Sequence, residues 1–231
     1  MCAGFVLCTL AACPALALPT FQVYSPGATA GDYGPDEDTW MVTSTSFDLI
    51  VVGNLTRVVS LDNVTLVVSV PNGSTGSISI IPDGGSSPLA PEMWYDTKEA
   101  FYADFPFAEL DDDDPLDDFN NHYPFQNAVS DFLLFDLDPF ITSAAQGLHD
   151  YNADDGSITV ANNSYGQERL YSVSFSGYDW VHFDVFGQTA DGTWKINPAS
   201  HDTTAVPAPG AILLGSLGVG LVGWLRRRRS I

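Results

Sequence analysis

The chain has 231 residues, with 8 Lys and Arg against 29 Asp and Glu, a formal charge of −21 at pH 7. A surface this anionic repels nucleic acid and anionic lipid headgroups and attracts divalent cations, which excludes a nucleic-acid-binding role. All three cysteines, Cys2, Cys8 and Cys13, lie in the first 13 residues, so the remainder has neither disulfides nor a thiolate metal site.

The N-terminus reads as an export signal. Phe5 to Ala17 is a short apolar segment ending in Ala15-Leu16-Ala17, the small-x-small pattern that signal peptidase cuts. Met1 to Gly4 carries no basic residue, and Leu10-Ala11-Ala12-Cys13 offers a rival lipobox reading. Both readings mean export. The body that follows, Leu18 to Ala205, has 188 residues, enough for one domain with its own core. Four of the basic residues are Arg226 to Arg229, so the body sets Arg57, Lys98, Arg169 and Lys195 against all 29 acids, a charge of −25.

In chain order, Thr20 to Tyr24 alternates as a strand, and Ser25 to Asp38 reads as a Gly-, Pro- and Asp-rich loop. Strands are predicted at Thr39–Thr43, Phe47–Val52, Val64–Val70 and Ser77–Ile81, with Pro71 to Gly76 as a turn. Glu92 to Leu110 is rich in aromatics and suggests an insertion packed across a sheet. Asp111 to Asp118 is an acidic run broken by Pro115. Asn127 to Phe135 is the best helix candidate, although DFLLFDLDPF also fits a strand stopped by Pro139. Strands return at Gly156–Ala161, Glu168–Ser176, Trp180–Phe186 and Thr193–Ile196. Period two puts Val181, Phe183 and Val185 on one face and Trp180, His182, Asp184 and Phe186 on the other. Short β-branched runs punctuated by Gly, Asn and Pro predict a mostly β fold, an antiparallel sandwich or jelly roll in a single domain.

Several constellations could carry chemistry. Asp150, Asn152 and Asp154 precede Gly156 at alternate positions, as calcium loops gather oxygens, but the glycine falls one place late for an EF-hand. Calcium is the sole cofactor expectation. Ser200, His182 and an Asp could form a hydrolase triad, but no nucleophile elbow surrounds Ser200. His182 with His201 is a possible transition-metal pair. Trp94, Tyr95 and Trp180 suit either sugar stacking or core packing.

The last 26 residues hold three ordered parts: Val206-Pro207-Ala208-Pro209-Gly210, an apolar run from Ala211 to Leu225, and Arg226, Arg227, Arg228 and Arg229. The run is at the lower edge of what a helix needs to span a bilayer. Four arginines stay on the cytoplasmic side, which puts the body outside. Gly215, Gly218, Gly220 and Gly223 allow close helix packing in the membrane.

This tail resembles the PEP-CTERM sorting domain of exported bacterial proteins, with Pro-Ala-Pro where that family usually has Pro-Glu-Pro. The resemblance implies recognition by an exosortase, a membrane cysteine transpeptidase that would cut near Pro207–Pro209. Phe21 to Tyr24, Asp38 to Trp40, Val181 to Asp184 and Pro198 to Asp202 are similar to the choice-of-anchor N family, which implies a surface protein of unassigned activity. The expectation is an exported surface or matrix protein with a structural or adhesive role and no enzymatic one. Its partners would be signal peptidase, an exosortase, the membrane through the terminal helix before processing, and an extracellular polysaccharide. The alternative is a carbohydrate- or calcium-binding surface module.

Overall fold

Apolar residues at every second position need a second layer to cover them, and two sheets meet that need here. The computed structural model describes residues 18–32, 38–105 and 130–207. The predicted signal peptide with Ala15 and Ala17, the run Asp111 to Asp118, and the tail from Ala208 onward lie outside them. No helix among the described residues is long and apolar enough to cross a membrane.

The first sheet is built on β1 (Phe21–Tyr24), β4 (Ser46–Asn54), β11 (Ser157–Ser176) and β10 (Gln146–Asn152), in that spatial order. The 20-residue β11 is long enough to pair twice along one edge, with β10 near its start and with β6 (Ser77–Pro82) near its end. The second sheet runs β2 (Thr29–Asp32), β3 (Asp38–Val42), β14 (Thr203–Ala205), β12 (Val181–Thr189), β5 (Ser60–Pro71), β8 (Ser130–Asp136), β7 (Met93–Tyr95). Two short strands complete it: β13 (Trp194–Ile196) on β12 and β9 (Phe140–Ile141) on β5. Every pairing is antiparallel except β14 with β3, which is parallel.

Between the sheets lies one apolar layer. Val23, Leu49, Tyr171 and Val173 reach it from the first sheet, and Leu66, Val68, Phe183 and Val185 from the second. This is the mostly β sandwich that the strand pattern predicts, with one mixed pairing added.

The outer face of the second sheet is buried as well. A seven-residue helix, α1 (Lys98–Asp104), begins at Thr97, whose hydroxyl accepts from Ala100 N at 3.2 Å. It lays Phe101 and Tyr102 against Val67, Phe132, Leu134 and Phe186. Glu92–Leu110 is thus an elaboration packed across a sheet, as far as Phe105. Of the two readings of Asn127–Phe135 the strand is the one seen, as β8 from Ser130 (residues 127–129 lie outside the described residues), and the burial explains why a helix fitted as well. Leu133 and Phe135 face the inter-sheet core while Phe132 and Leu134 face α1. A strand covered on both sides loses its polar alternation and cannot be told from a buried helix by period.

The loop expected over Ser25–Asp38 contains β2, whose partner is β3. Neither β10 nor β14 is visible in the pattern. β10 is an edge strand carrying His149, Asp150 and Asn152, and β14 is three residues whose neighbours are far away in sequence.

Candidate metal centre

The face of β12 opposite Val181, Phe183 and Val185 carries His182, Asp184 and Phe186, as the period requires. Phe186 joins the apolar patch under α1, while His182 and Asp184 sit on the side toward β14. The ladder sets Thr204 of β14 directly across from His182 and Ser69 of β5 on its other side. A 3₁₀ turn, Ala199–His201, delivers Asp202 to the same place just before β14 begins. Trp40 N holds that turn by donating to Asp202 O at 3.2 Å.

His182 Nε2 lies 3.1 Å from Asp184 Oδ2 and 3.5 Å from Asp202 Oδ2. One ligand atom from each of the three residues falls within 4.8 Å of the others. The exposures are 1%, 0% and 0% for His182, Asp184 and Asp202. An imidazole and two carboxylates in so dry a place need compensating partners, because an isolated buried charge is costly.

The next layer of residues fixes their orientation. His182 Nδ1 is 2.7 Å from Thr204 Oγ1, which in turn is 3.2 Å from Thr39 Oγ1. Asn197 Nδ2 donates to Asp184 Oδ1 at 3.1 Å, and Asn197 Oδ1 accepts from Val185 N at 2.7 Å. These bonds occupy the outer atoms, Nδ1 and Oδ1, and turn Nε2 and Oδ2 toward each other. The fully buried hydroxyl of Ser69 has no hydrogen-bond partner among the described residues.

The other sequence candidates sort differently. His201 does not join His182. Its Nε2 meets Asp150 Oδ1 at 3.1 Å and its Nδ1 meets Ser200 Oγ at 3.0 Å. Ser200, His201 and Asp150 thus form a chain in place of the triad imagined with His182. The two ring nitrogens are used in the reverse of the serine-hydrolase order, in which Nε2 faces the nucleophile.

The expected calcium set of Asp150, Asn152 and Asp154 is divided among three tasks. Asp150 holds His201, and Asn152 Oδ1 accepts from Asp154 N at 2.9 Å in a hairpin turn. Asp154 lies with Asp32 and Asp38; partial desolvation, then these neighbouring carboxylates, holds Asp38 above the usual carboxylate range.

Among the aromatics, Trp94 is 53% exposed on β7 and Tyr95 is buried against Phe101. A cavity of about 220 Å³ lies beside Arg169, Asp136 and Asp138, but the guanidinium there is taken up by backbone carbonyls.

Four segments distant in sequence converge on this end of the sandwich. Gln22 accepts from Tyr151 N at 2.8 Å and donates to His149 O at 3.2 Å. Val23 O accepts from Thr203 Oγ1 at 3.1 Å. With Thr39 and Trp40, His182 and Asp184, and Ser200 to Asp202, these residues bring the two sheets together around the buried cluster. Spacing could suggest His182 and Asp184 through the His-x-Asp pattern on a strand. Ser69, Asn197 and Thr204 carry no such signal, because only the ladder makes them neighbours.

Comparison with protein-family models and with curated proteins finds no match. Among solved structures, the chain is similar to the collagen-binding subdomain of the Enterococcus faecalis surface protein ACE. That match has 9% identity over 82% of this chain and 98% of the other, with a TM-score of 0.24. AvmM, which catalyses macrocyclization in alchivemycin A biosynthesis, matches at 9% identity over 80% and 92%, with a TM-score of 0.31. The C-terminal domain of the Streptococcus agalactiae AgI/II polypeptide BspA matches at 10% over 80% and 50%, with a TM-score of 0.23. Likenesses at this level bear on neither ligand nor activity.

Proposed function

We propose that this chain is an exported module of the cell surface or extracellular matrix, structural or adhesive in role and not an enzyme. Its C-terminal signal hands it to an exosortase-type transpeptidase after signal peptidase has acted. The observation that carries the reading is how the last strand of the described residues ends. β14 ends at Ala205, and Val206 N makes a last bond to Val42 O at 2.8 Å. The sorting motif starts at that same Val206, so a cut near Pro207–Pro209 would release the apolar tail and leave every strand of the described residues intact. The acidic body, with no cysteine of its own, suits an oxidising exterior where it must stay soluble without disulfides.

The test is intact-mass measurement on the protein recovered from cells with and without an exosortase. The expected result is a mature chain that lacks both ends and fractionates with the surface or medium, and a tail retained in the membrane when the enzyme is absent. Recovery from the cytosol with both ends intact would overturn the proposal.

A further inference from the structure

We infer that His182, Asp184 and Asp202 bind a divalent first-row transition ion of the zinc or manganese type. The site is buried and structural, and it fastens β14 to β12. Four features of the geometry carry the assignment.

The donor set comes first. One imidazole nitrogen and two carboxylate oxygens suit zinc or manganese, whereas calcium takes six to eight oxygens and gains little from imidazole. Spacing is the second. Metal–ligand bonds of roughly 2.0–2.2 Å put neighbouring ligand atoms roughly 3.0–3.6 Å apart, and the Nε2 to Oδ2 distances of 3.1 and 3.5 Å fall in that range.

The third feature is the outer layer. Ligating histidines are held at their other nitrogen by an oxygen, and ligating carboxylates are themselves hydrogen-bonded. Thr204 and Asn197 perform those two tasks here, at 2.7 and 3.1 Å. The fourth is Ser69. Its side chain shares the outer face with His182, directly opposite on the ladder, and its buried hydroxyl has no hydrogen-bond partner among the described residues. That places one more oxygen next to His182, withdrawn from water. A divalent ion at this point would offset the charge of the two buried carboxylates.

The consequence is local. Asp202 is the last residue before β14, and β14 is the last strand before the motif at Val206. An ion shared between Asp202 and β12 would hold the exit of the chain in place. Binding at this site does not depend on sorting, so either proposal can fail without the other.

The experiment uses the full chain purified in detergent, stripped with a chelator, then titrated separately with Zn²⁺, Mn²⁺ and Ca²⁺ by calorimetry and thermal melting. One equivalent of Zn²⁺ or Mn²⁺ is expected to bind and to raise Tm, with Ca²⁺ far weaker. Pulsed EPR of the Mn²⁺ form should show one coordinated imidazole nitrogen. Asp202→Asn should abolish that binding. Should Asp202→Asn fail to fold, Thr204→Val tests the same point, because loss of an outer-layer partner should weaken affinity by roughly 10–100-fold. A stripped, folded chain that takes up neither ion, or a folded Thr204→Val chain that binds with unchanged affinity and no nitrogen signal, would overturn the assignment.

Discussion

The guanidinium of Arg169 lies 4.0 Å above the ring of Phe140 and at the same time donates to the carbonyls of Leu137, Asp138 and Pro139 at 2.6 to 2.8 Å. β11 is thereby tied to the connection between β8 and β9, which belong to the other sheet. The same connection contains Asp138, a non-glycine residue at φ 44°, so Arg169 steadies backbone that is itself strained. One of four cations in an acidic body, it binds carbonyl oxygens here.

Arg169→Ala removes five charge-assisted hydrogen bonds, three to backbone carbonyls and two to Gln167 Oε1, and a stacked cation, and should cost about 3 kcal/mol. Arg169→Lys should recover less than half of that, since an ammonium cannot fan out to three carbonyls and stack on the ring together. Urea denaturation of the purified variants checks both. Equal stability of wild type and Arg169→Ala would contradict this account.

Two glycines in the sheets should respond differently to alanine. A Cβ on Gly187 would lie 2.8 Å from the Phe21 ring and 3.2 Å from Asp62 O, inside the core at the irregularity between β5 and β12. A Cβ on Gly147, at the irregularity between β10 and β11, meets nothing within 4 Å. Gly187→Ala should therefore destabilise by about 1–3 kcal/mol through overpacking. Gly147→Ala should stay within about 0.5 kcal/mol of wild type. Thermal melting of the pair makes the comparison.

The pH dependence has an identifiable contributor in Asp131. Burial raises its pKa, the Gly73 amide that it accepts at 3.1 Å opposes the rise, and Asp96 adds to it. A carboxyl whose pKa is higher folded than unfolded binds its proton more tightly in the native state. Its contribution to stability therefore falls as pH rises from the ordinary aspartate range through the raised value. Asp131→Asn keeps an oxygen for Gly73 and removes the buried charge. It is expected to raise Tm at pH 7 by about 1–3 °C and to flatten the fall in stability just above the ordinary aspartate range. A lower Tm at pH 7 would count against burial as the dominant cause.

The chain Ser200–His201–Asp150 is expected to act as a tie between the terminal turn and β10, with no nucleophile in it. A fluorophosphonate probe should label Ser200 no more than it labels the denatured protein. Asp150→Asn should lower stability by about 0.5–1.5 kcal/mol, the usual value of one hydrogen bond. Stoichiometric labelling that disappears in His201→Gln would make this a hydrolase instead.

Much of the sandwich was legible in the residues. Tyr171, Val173 and Phe175 alternate and reach the core together, as do Val181, Phe183 and Val185. The period of two acts within a few neighbouring residues, so the sequence shows it directly. The face shared by His182 and Asp184 was equally readable. Its burial was not, because the cover on that side comes from residues far away along the chain. His201 was a reasonable partner for His182 by composition, yet the turn at Ala199–His201 points it to Asp150.

By itself the sequence determined the mostly β class, the division of faces and the anionic body, all of which depend on composition or on short-range order. Only the tertiary structure decided that β8 is a strand between two apolar layers, that β14 enters parallel to β3, and that Asp202 meets His182. Those outcomes depend on contacts between segments up to about 180 residues apart, as in the bond from Thr203 to Val23. A local pattern contains no term for such pairings, because their free energy comes from burying surfaces that exist only once both sheets have formed.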